Sequence, residues 1–118
     1  MITLKTLNDH SEQEVFDHVA EHLLAQMCRA ESEDGDCRYR GEGGLKCAAG
    51  CLVADDEYSK DMEERDWVTL VNKKQVPPDH KDLIMRLQDL HDSYEPNIWK
   101  RQLALLAQDF QLNALALI

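Results

Sequence analysis

The sequence predicts one mainly α-helical domain over residues 1–118, on three observations. The chain has the length of one domain and is large enough to bury a core without disulfides or a metal. Apolar residues recur at helical spacing in separate segments, and capping residues or prolines stand where these segments begin or end. We therefore expect about four to five helices, with a Gly-rich loop or short β element at 37–46.

The first helix is predicted to begin after Ser11, because Ser11-Glu12-Gln13-Glu14 is a capping box whose serine and glutamate satisfy backbone N–H groups reciprocally. The residues that follow form one apolar stripe: Val15, Phe16, Val19, Ala20, Leu23, Leu24 and Met27. Residues 31–36 (ESEDGD) carry four acids and a glycine without periodicity. This segment is predicted to be an exposed loop.

The second half of the chain predicts a short helix and then a helical hairpin. Asp66 is expected to cap a helix through Val71, which must stop before Pro77-Pro78. Asp79 is expected to cap the next helix, and Pro96 suits the first turn of the last one. The apolar faces of these two helices carry Leu83, Ile84, Leu87, Leu90 and Tyr94, and Ile98, Trp99, Leu103, Leu106 and Phe110.

The formal charge of −10 limits the classes of function. Neutralising phosphates needs a broad positive surface, so this balance argues against direct nucleic-acid binding and fits solubility or a basic partner. No run of about 18 uncharged apolar residues occurs, which excludes a spanning helix. The start MITLKTLNDH lacks a basic and an apolar leader region, so we expect a cytoplasmic protein without membrane contact.

Residues 37–51, CRYRGEGGLKCAAGC, are where chemistry would be concentrated. The four cysteines of the chain have no C-x2-C knuckle, and burial as small apolar residues is the plainer interpretation. A structural zinc site is kept as an alternative, and a cysteine nucleophile would need a histidine that sequence distance cannot identify. We therefore predict no enzyme and no cofactor; the alternative zinc ligands are Cys28, Cys37, Cys47 and Cys51.

The glycines of residues 41–44 allow a second alternative, an anion site. They precede a possible helix start at Leu45, and amides exposed at a helix N-terminus attract a phosphate or carboxylate. GEGGLK lacks both the P-loop and the dinucleotide spacing, so a plain tight turn, with the arginines paired to nearby acids, is the preferred interpretation. The residues of this alternative are Arg38, Arg40, Gly43, Gly44 and Lys46.

A set of short motifs spreads over most of the chain: CRYRG at 37–41, GLKCA at 44–48, GCLV at 50–53, DDEY at 55–58 and Met62-Glu63. Residues 87–92 (LQDLHD) and Trp99 continue the pattern. It resembles a family of small phage and prophage proteins without an agreed activity, except that Ala54 stands where that family usually has a proline. The resemblance implies a phage accessory protein, a class that often binds and inhibits host machinery.

Acidic segments and this resemblance together lead to our main prediction. We expect a phage- or prophage-encoded, non-enzymatic protein that binds and inhibits or modulates a host protein, such as a defence or nucleic-acid enzyme, in the host cytoplasm. Mimicry of DNA phosphates and plain solvated surface stay open as readings of the charge. Tyr39, Tyr58 and Trp67 are the expected exposed aromatic anchors. The expected partner-binding residues are Asp55, Asp56, Glu57, Tyr58, Asp61, Glu63 and Glu64.

Overall fold

The computed structural model describes residues 2–114 and shows a single mainly helical domain. Four α-helices are present in this range: α1 (Glu12–Gln26), α2 (Trp67–Asn72), α3 (Lys81–Ser93) and α4 (Trp99–Asp109). No strand forms within residues 2–114, where the one β feature is an isolated antiparallel bridge between Glu31 and Cys37. The predicted fold class is confirmed, with a loop rather than a β element at 37–46.

Helix α1 begins as predicted. The Ser11 side chain accepts from the Glu14 N–H, and the Glu14 carboxylate accepts from the Ser11 N–H, which completes the capping box. One face is buried through Val15, Val19 and Leu23 and packs against α3 and α4. The helix ends where Met27 turns into the left-handed region.

Helices α3 and α4 form the predicted hairpin. Arg86 pairs with Asp109 at 2.8 Å, and at the opposite end the Trp99 indole N–H donates to the Tyr94 carbonyl. The first link joins the first half of α3 to the end of α4, and the second joins the end of α3 to the start of α4. The two helices therefore run antiparallel. The predicted cap at Asp79 is wrong, because His80 takes the N-cap position in a left-handed conformation without a side-chain cap.

Short helix α2 is capped by Asp66, whose carboxylate accepts from the Thr69 N–H, as the sequence predicts. Trp67 and Leu70 are buried, and the helix packs against α3. The two tryptophans, Trp67 and Trp99, are the largest fully buried side chains. No helix within residues 2–114 is long and apolar enough to cross a bilayer.

Residues 28–66 form an irregular segment that packs against α1 and α3 through specific hydrogen bonds. The turn at 42–44 is a short 3₁₀ helix, and Leu45 is extended, so the predicted helix start at Leu45 is wrong. The backbone passes Gly50 so closely that a Cβ there would overlap the Tyr39 carbonyl oxygen. The Gln88 amide of α3 accepts from the Ala49 N–H, which ties this segment to α3.

Candidate functional site: the Trp67 groove and the polar cluster at its end

A groove of about 470 Å³ opens between α3 and the irregular segment. Its apolar part includes Trp67, Tyr39 and Met85, and Arg65 is the single basic residue of its lining. We call it the Trp67 groove. Five carboxylates line it: Asp36, Glu64, Asp66, Asp89 and Asp92. The lining is therefore apolar at the indole and strongly negative around it.

Three of these carboxylates, on Asp36, Glu64 and Asp89, are exposed and make no hydrogen bond or ion pair with residues 2–114. The other two have internal roles. Asp66 caps α2, and the hydrogen bonds from Thr69 hold its pKa below the usual value. Because the three unpaired carboxylates face one opening, they repel each other and favour a cationic ligand.

Trp67, which contributes to the groove lining, carries a buried donor without a partner. Its side chain is 1% exposed, yet its Nε1 is the one buried side-chain nitrogen or oxygen within residues 2–114 that lacks a hydrogen-bond partner. Leaving a buried N–H unpaired costs about 1–3 kcal/mol.

A polar cluster lies at the end of the groove where Cys37, Gln88 and Asp92 meet. Gln88 Nε2 donates to Cys37 Sγ at 2.8 Å and to Asp92 Oδ1 at 2.9 Å. The same Asp92 oxygen accepts a hydrogen bond from His91 Nδ1, with 2.7 Å between the two atoms. Cys37, His91 and Asp92 are the one His, Cys, Asp or Glu group within residues 2–114 whose ligand atoms all lie within 4.8 Å.

His91 is buried, with 1% of its surface exposed, and its ring stacks on Trp99 with 5.5 Å between ring centres. The Ala30 N–H donates to His91 Nε2 at 3.2 Å, so Nε2 carries a lone pair and the proton sits on Nδ1. That proton faces Asp92. Both ring nitrogens of this buried histidine are therefore hydrogen-bonded within the fold.

The cysteine thiols of this region are not set up as nucleophiles. The neighbouring Cys47 thiol, burial and nearby Asp92 raise the Cys37 pKa far above its ordinary value. Burial likewise raises the pKa of Cys51. A nucleophilic cysteine needs the opposite shift, because the thiolate is the attacking species.

The predicted acidic patch is mostly used within the fold. Glu57 accepts from the N–H groups of Leu4, Lys5 and Ala54. Glu63 accepts from the N–H groups of residues 39 and 40 and from the Tyr58 hydroxyl. Asp55 pairs with Arg40, and Asp61 bonds Ser59 and Gln75, so only Asp56 and Glu64 of the predicted carboxylates have no such partner in residues 2–114.

Of the residues of the predicted anion site, Arg38 and Arg40 line one cleft, and Gly43, Gly44 and Lys46 are not part of its lining. The Arg40 guanidinium donates to the carbonyls of Gly50 and Val53 and lies 5.0 Å from the Tyr58 ring centre. Arg38 and Arg40 also line a cleft whose lining includes the acids Glu31, Glu33, Asp34 and Glu42. Gly43 and Gly44 are exposed in that turn, and the Lys46 backbone bonds side chains of α1.

The four cysteines of the zinc alternative are divided by the fold. Cys28 is exposed and Cys47 is buried, and the Cys51 thiol donates to the Ala48 carbonyl. Within the described residues, no three of the four sulfurs lie within 4.8 Å of one another. The aromatic anchors are a further correction: Tyr39 and Trp67 are 5% and 1% exposed because both belong to the core.

Sequence reasoning missed the α3 residues of the site: Met85, Gln88, Asp89 and Asp92. They recur at i, i+3, i+4 and i+7, so they share one face of the helix. This spacing was visible in the sequence, but a mixed polar face on a helix usually contacts solvent. Comparisons of the chain with known protein families, curated proteins and solved structures give no match.

Proposed function

We propose that this chain is a non-enzymatic interaction protein that holds a basic segment of a partner protein in the Trp67 groove. The observation that carries the proposal is that three carboxylates without a partner in residues 2–114 line one groove together with apolar side chains. A lysine or arginine side chain of that segment supplies the positive charge.

The lining suits the two chemical parts of a long basic side chain. Lysine and arginine carry an apolar stem under a charged head, and the stem packs on apolar surface while the head reaches polar groups. In the groove, the half-buried Met85 offers apolar surface, and Asp89 and Glu64 offer charge at the rim. The negative field would also speed the encounter with a basic partner.

This proposal moves the partner-binding surface from residues 55–64 to the groove, with Glu64 common to both. Carboxylates that already accept several hydrogen bonds from the fold, such as Glu57 and Glu63, have little capacity left for a partner. The resemblance to phage and prophage proteins leads us to expect the partner in a bacterial host. Inhibition or modulation of that host protein is the proposed outcome of binding.

The test compares two charge-reversed double variants with the same net charge. One carries Glu64→Lys and Asp89→Lys in the groove; the control carries Glu21→Lys and Asp56→Lys, at exposed carboxylates that also lack a partner in residues 2–114. Each protein is immobilised and then incubated with bacterial lysate, and the proteins that it retains are quantified by mass spectrometry. We expect a specific basic partner to be lost with the groove variant and kept with the control.

Equal loss with both double variants would contradict the proposal, because it would show a response to net charge alone. Retention of the same partner by the groove variant would contradict it as well. Raising the salt concentration weakens a charge-based complex and so provides a second readout on the captured partner.

A further inference from the structure

We propose that two copies of this chain associate through the outer face of α4 and form a two-fold symmetric dimer centred on Leu105. This face carries an exposed leucine between a basic and an acidic residue, Arg101 and Asp109. Such an order of charges is complementary to itself when two identical helices pack antiparallel. The dimer does not depend on the basic partner proposed above.

The centre of the face is apolar and borders a groove. Leu105 is 49% exposed, and it lines a groove of about 360 Å³ between α3 and α4. Tyr94, which is 39% exposed, lines the same groove, as do the buried Leu90 and Leu106. Two of the four large apolar side chains that are exposed within residues 2–114 thus lie at this groove. A single exposed leucine is ordinary, whereas exposed apolar side chains at a groove with a polar rim are typical of an interaction surface.

The two ends of the face carry opposite charges. Arg101, Leu105 and Asp109 are spaced at i, i+4 and i+8, so they form one ridge along the helix. No hydrogen bond or ion pair within residues 2–114 involves the exposed Arg101 side chain. Asp109 is 61% exposed and pairs with Arg86 through Oδ2, which leaves Oδ1 without a partner in the same range. Asp109 can therefore accept a second cation.

A two-fold axis beside Leu105 satisfies both ends at once. Ridges of residues four apart on two helices commonly pack against each other. The axis reverses the direction of the second ridge, so Arg101 of each copy lies opposite Asp109 of the other. Two identical ion pairs then flank one contact between the two leucines. A parallel arrangement would place like charges together at both ends, so the order of charges selects the antiparallel dimer.

Charge also favours this face over the rest of the surface as a contact between copies. The chain carries a net charge of −10, so two copies repel each other in most orientations. Helix α4 is an exception, because it carries two basic residues, Lys100 and Arg101, and one acidic residue, Asp109. The lining of the Trp67 groove, in contrast, has five carboxylates and one basic residue. Contact through α4 therefore brings two copies together where repulsion between like charges is small.

The size of the face predicts a weak dimer. Helix α4 has 11 residues and is therefore about 16 Å long. Contact between two such helices buries less area than the roughly 1,200 Å² at which stable interfaces begin. We therefore expect monomer and dimer to exchange, with the dimer forming at high protein concentration.

Sedimentation-equilibrium ultracentrifugation of the full chain in reducing buffer measures this association. We expect a reversible rise from the monomer mass toward the dimer mass between about 10 μM and about 1 mM protein. Leu105→Glu, Arg101→Glu and Asp109→Lys should each weaken the dimer by about tenfold or more. A variant that combines Arg101→Glu with Asp109→Lys should recover most of that loss, because both ion pairs form again in reversed order. The controls Lys60→Glu and Asp56→Lys change the net charge equally at exposed residues outside α3 and α4, and they should associate nearly as the parent does.

A monomer mass throughout this concentration range would overturn the proposal, and so would an assembly larger than a dimer, since a two-fold contact closes on itself. Unchanged association of Leu105→Glu, or equal losses in the two controls, would overturn it too. If the combined variant associates no better than its two single variants, the antiparallel pairing is wrong. All the substituted residues are exposed, and circular dichroism of each variant confirms that a loss of association comes from a folded protein.

Discussion

The carboxylate of Glu63 accepts hydrogen bonds from the backbone of residues 39 and 40. Replacing it with a neutral amide is the most direct test of how much these bonds stabilise the irregular segment. This side chain is 7% exposed. Its Oε1 accepts from the Tyr39 N–H at 2.9 Å. Its Oε2 accepts from the Arg40 N–H at 3.2 Å and from the Tyr58 hydroxyl at 2.6 Å. Glu63→Gln keeps the shape and one carbonyl oxygen, but it replaces one accepting oxygen with a donor.

The expected loss follows from the bonds that change. With the amide oxygen kept toward Tyr39, the amide nitrogen faces the Arg40 N–H, and an unpaired donor costs about 1–3 kcal/mol. The Tyr58 hydroxyl can rotate to accept, and the bonds that stay lose their charge-assisted part, about 1 kcal/mol. We therefore expect Glu63→Gln to lower the free energy of unfolding by about 2–4 kcal/mol.

Urea denaturation at neutral pH measures this free energy, and Glu64→Gln is the matched control. Glu64 is the next residue, exposed, and without a hydrogen-bond or ion-pair partner in residues 2–114. Its substitution should change stability by less than about 0.5 kcal/mol. Equal small effects of the two substitutions would refute the assigned role of Glu63 as an internal acceptor.

Three further predictions concern the same scaffold. Burial tends to raise the pKa of Glu57, but N–H bonds from Ala54, Leu4 and Lys5 outweigh it and hold that pKa below 4.5. The stability that these bonds add is fully present above pH 4.5 and is lost as the pH falls through the lower pKa of the folded state. The difference in free energy of unfolding between Glu57→Gln and the parent, measured by urea denaturation, should therefore become smaller in acid. A difference that stays constant with pH would contradict the lowered pKa. Gly50→Ala should cost about 3 kcal/mol or more because its Cβ overlaps the Tyr39 carbonyl, against about 1–2 kcal/mol for Gly44→Ala, which meets only left-handed strain; a reversed order in thermal melts would count against the close approach. Ser11→Ala removes the capping-box acceptor and should cost about 1 kcal/mol in urea denaturation; an unchanged midpoint would mean that the cap does not stabilise α1.

Local signals in the sequence predicted the helices because their causes are local. The Ser11 cap, the Asp66 cap and the α3–α4 hairpin each depend on residues a few positions apart. The cap at Asp79 was predicted wrongly because the chain after Pro77-Pro78 places His80 in a left-handed conformation at the N-cap. A capping pattern considers only which residue types stand near a helix start. Which residue becomes the N-cap also depends on the backbone angles of the turn that precedes the helix.

The irregular segment and the site could not be predicted in the same way. Its folding depends on pairs far apart in sequence, such as Glu63 with Tyr39 and Gln88 with Ala49. In a charge pattern, Glu57 and Glu63 look the same as Asp56 and Glu64. What separates them is whether unpaired backbone N–H groups lie within reach, and that depends on the folded positions of segments 23 to 53 residues away.

The division of carboxylates into internal acceptors and unpaired surface charges is what gives the groove its chemical character. A net charge of −10 would by itself produce a diffuse negative surface. Here the carboxylates of Glu57 and Glu63 accept hydrogen bonds from within the fold. Those of Asp36, Glu64 and Asp89 have no such partner in residues 2–114 and lie around one opening. Asp89 comes from α3 and the other two from the irregular segment, so neither part alone makes the site. The affinity for a basic partner would therefore depend on how the irregular segment packs against α3. A substitution that unfolds this segment should weaken binding even if it leaves the three carboxylates in place.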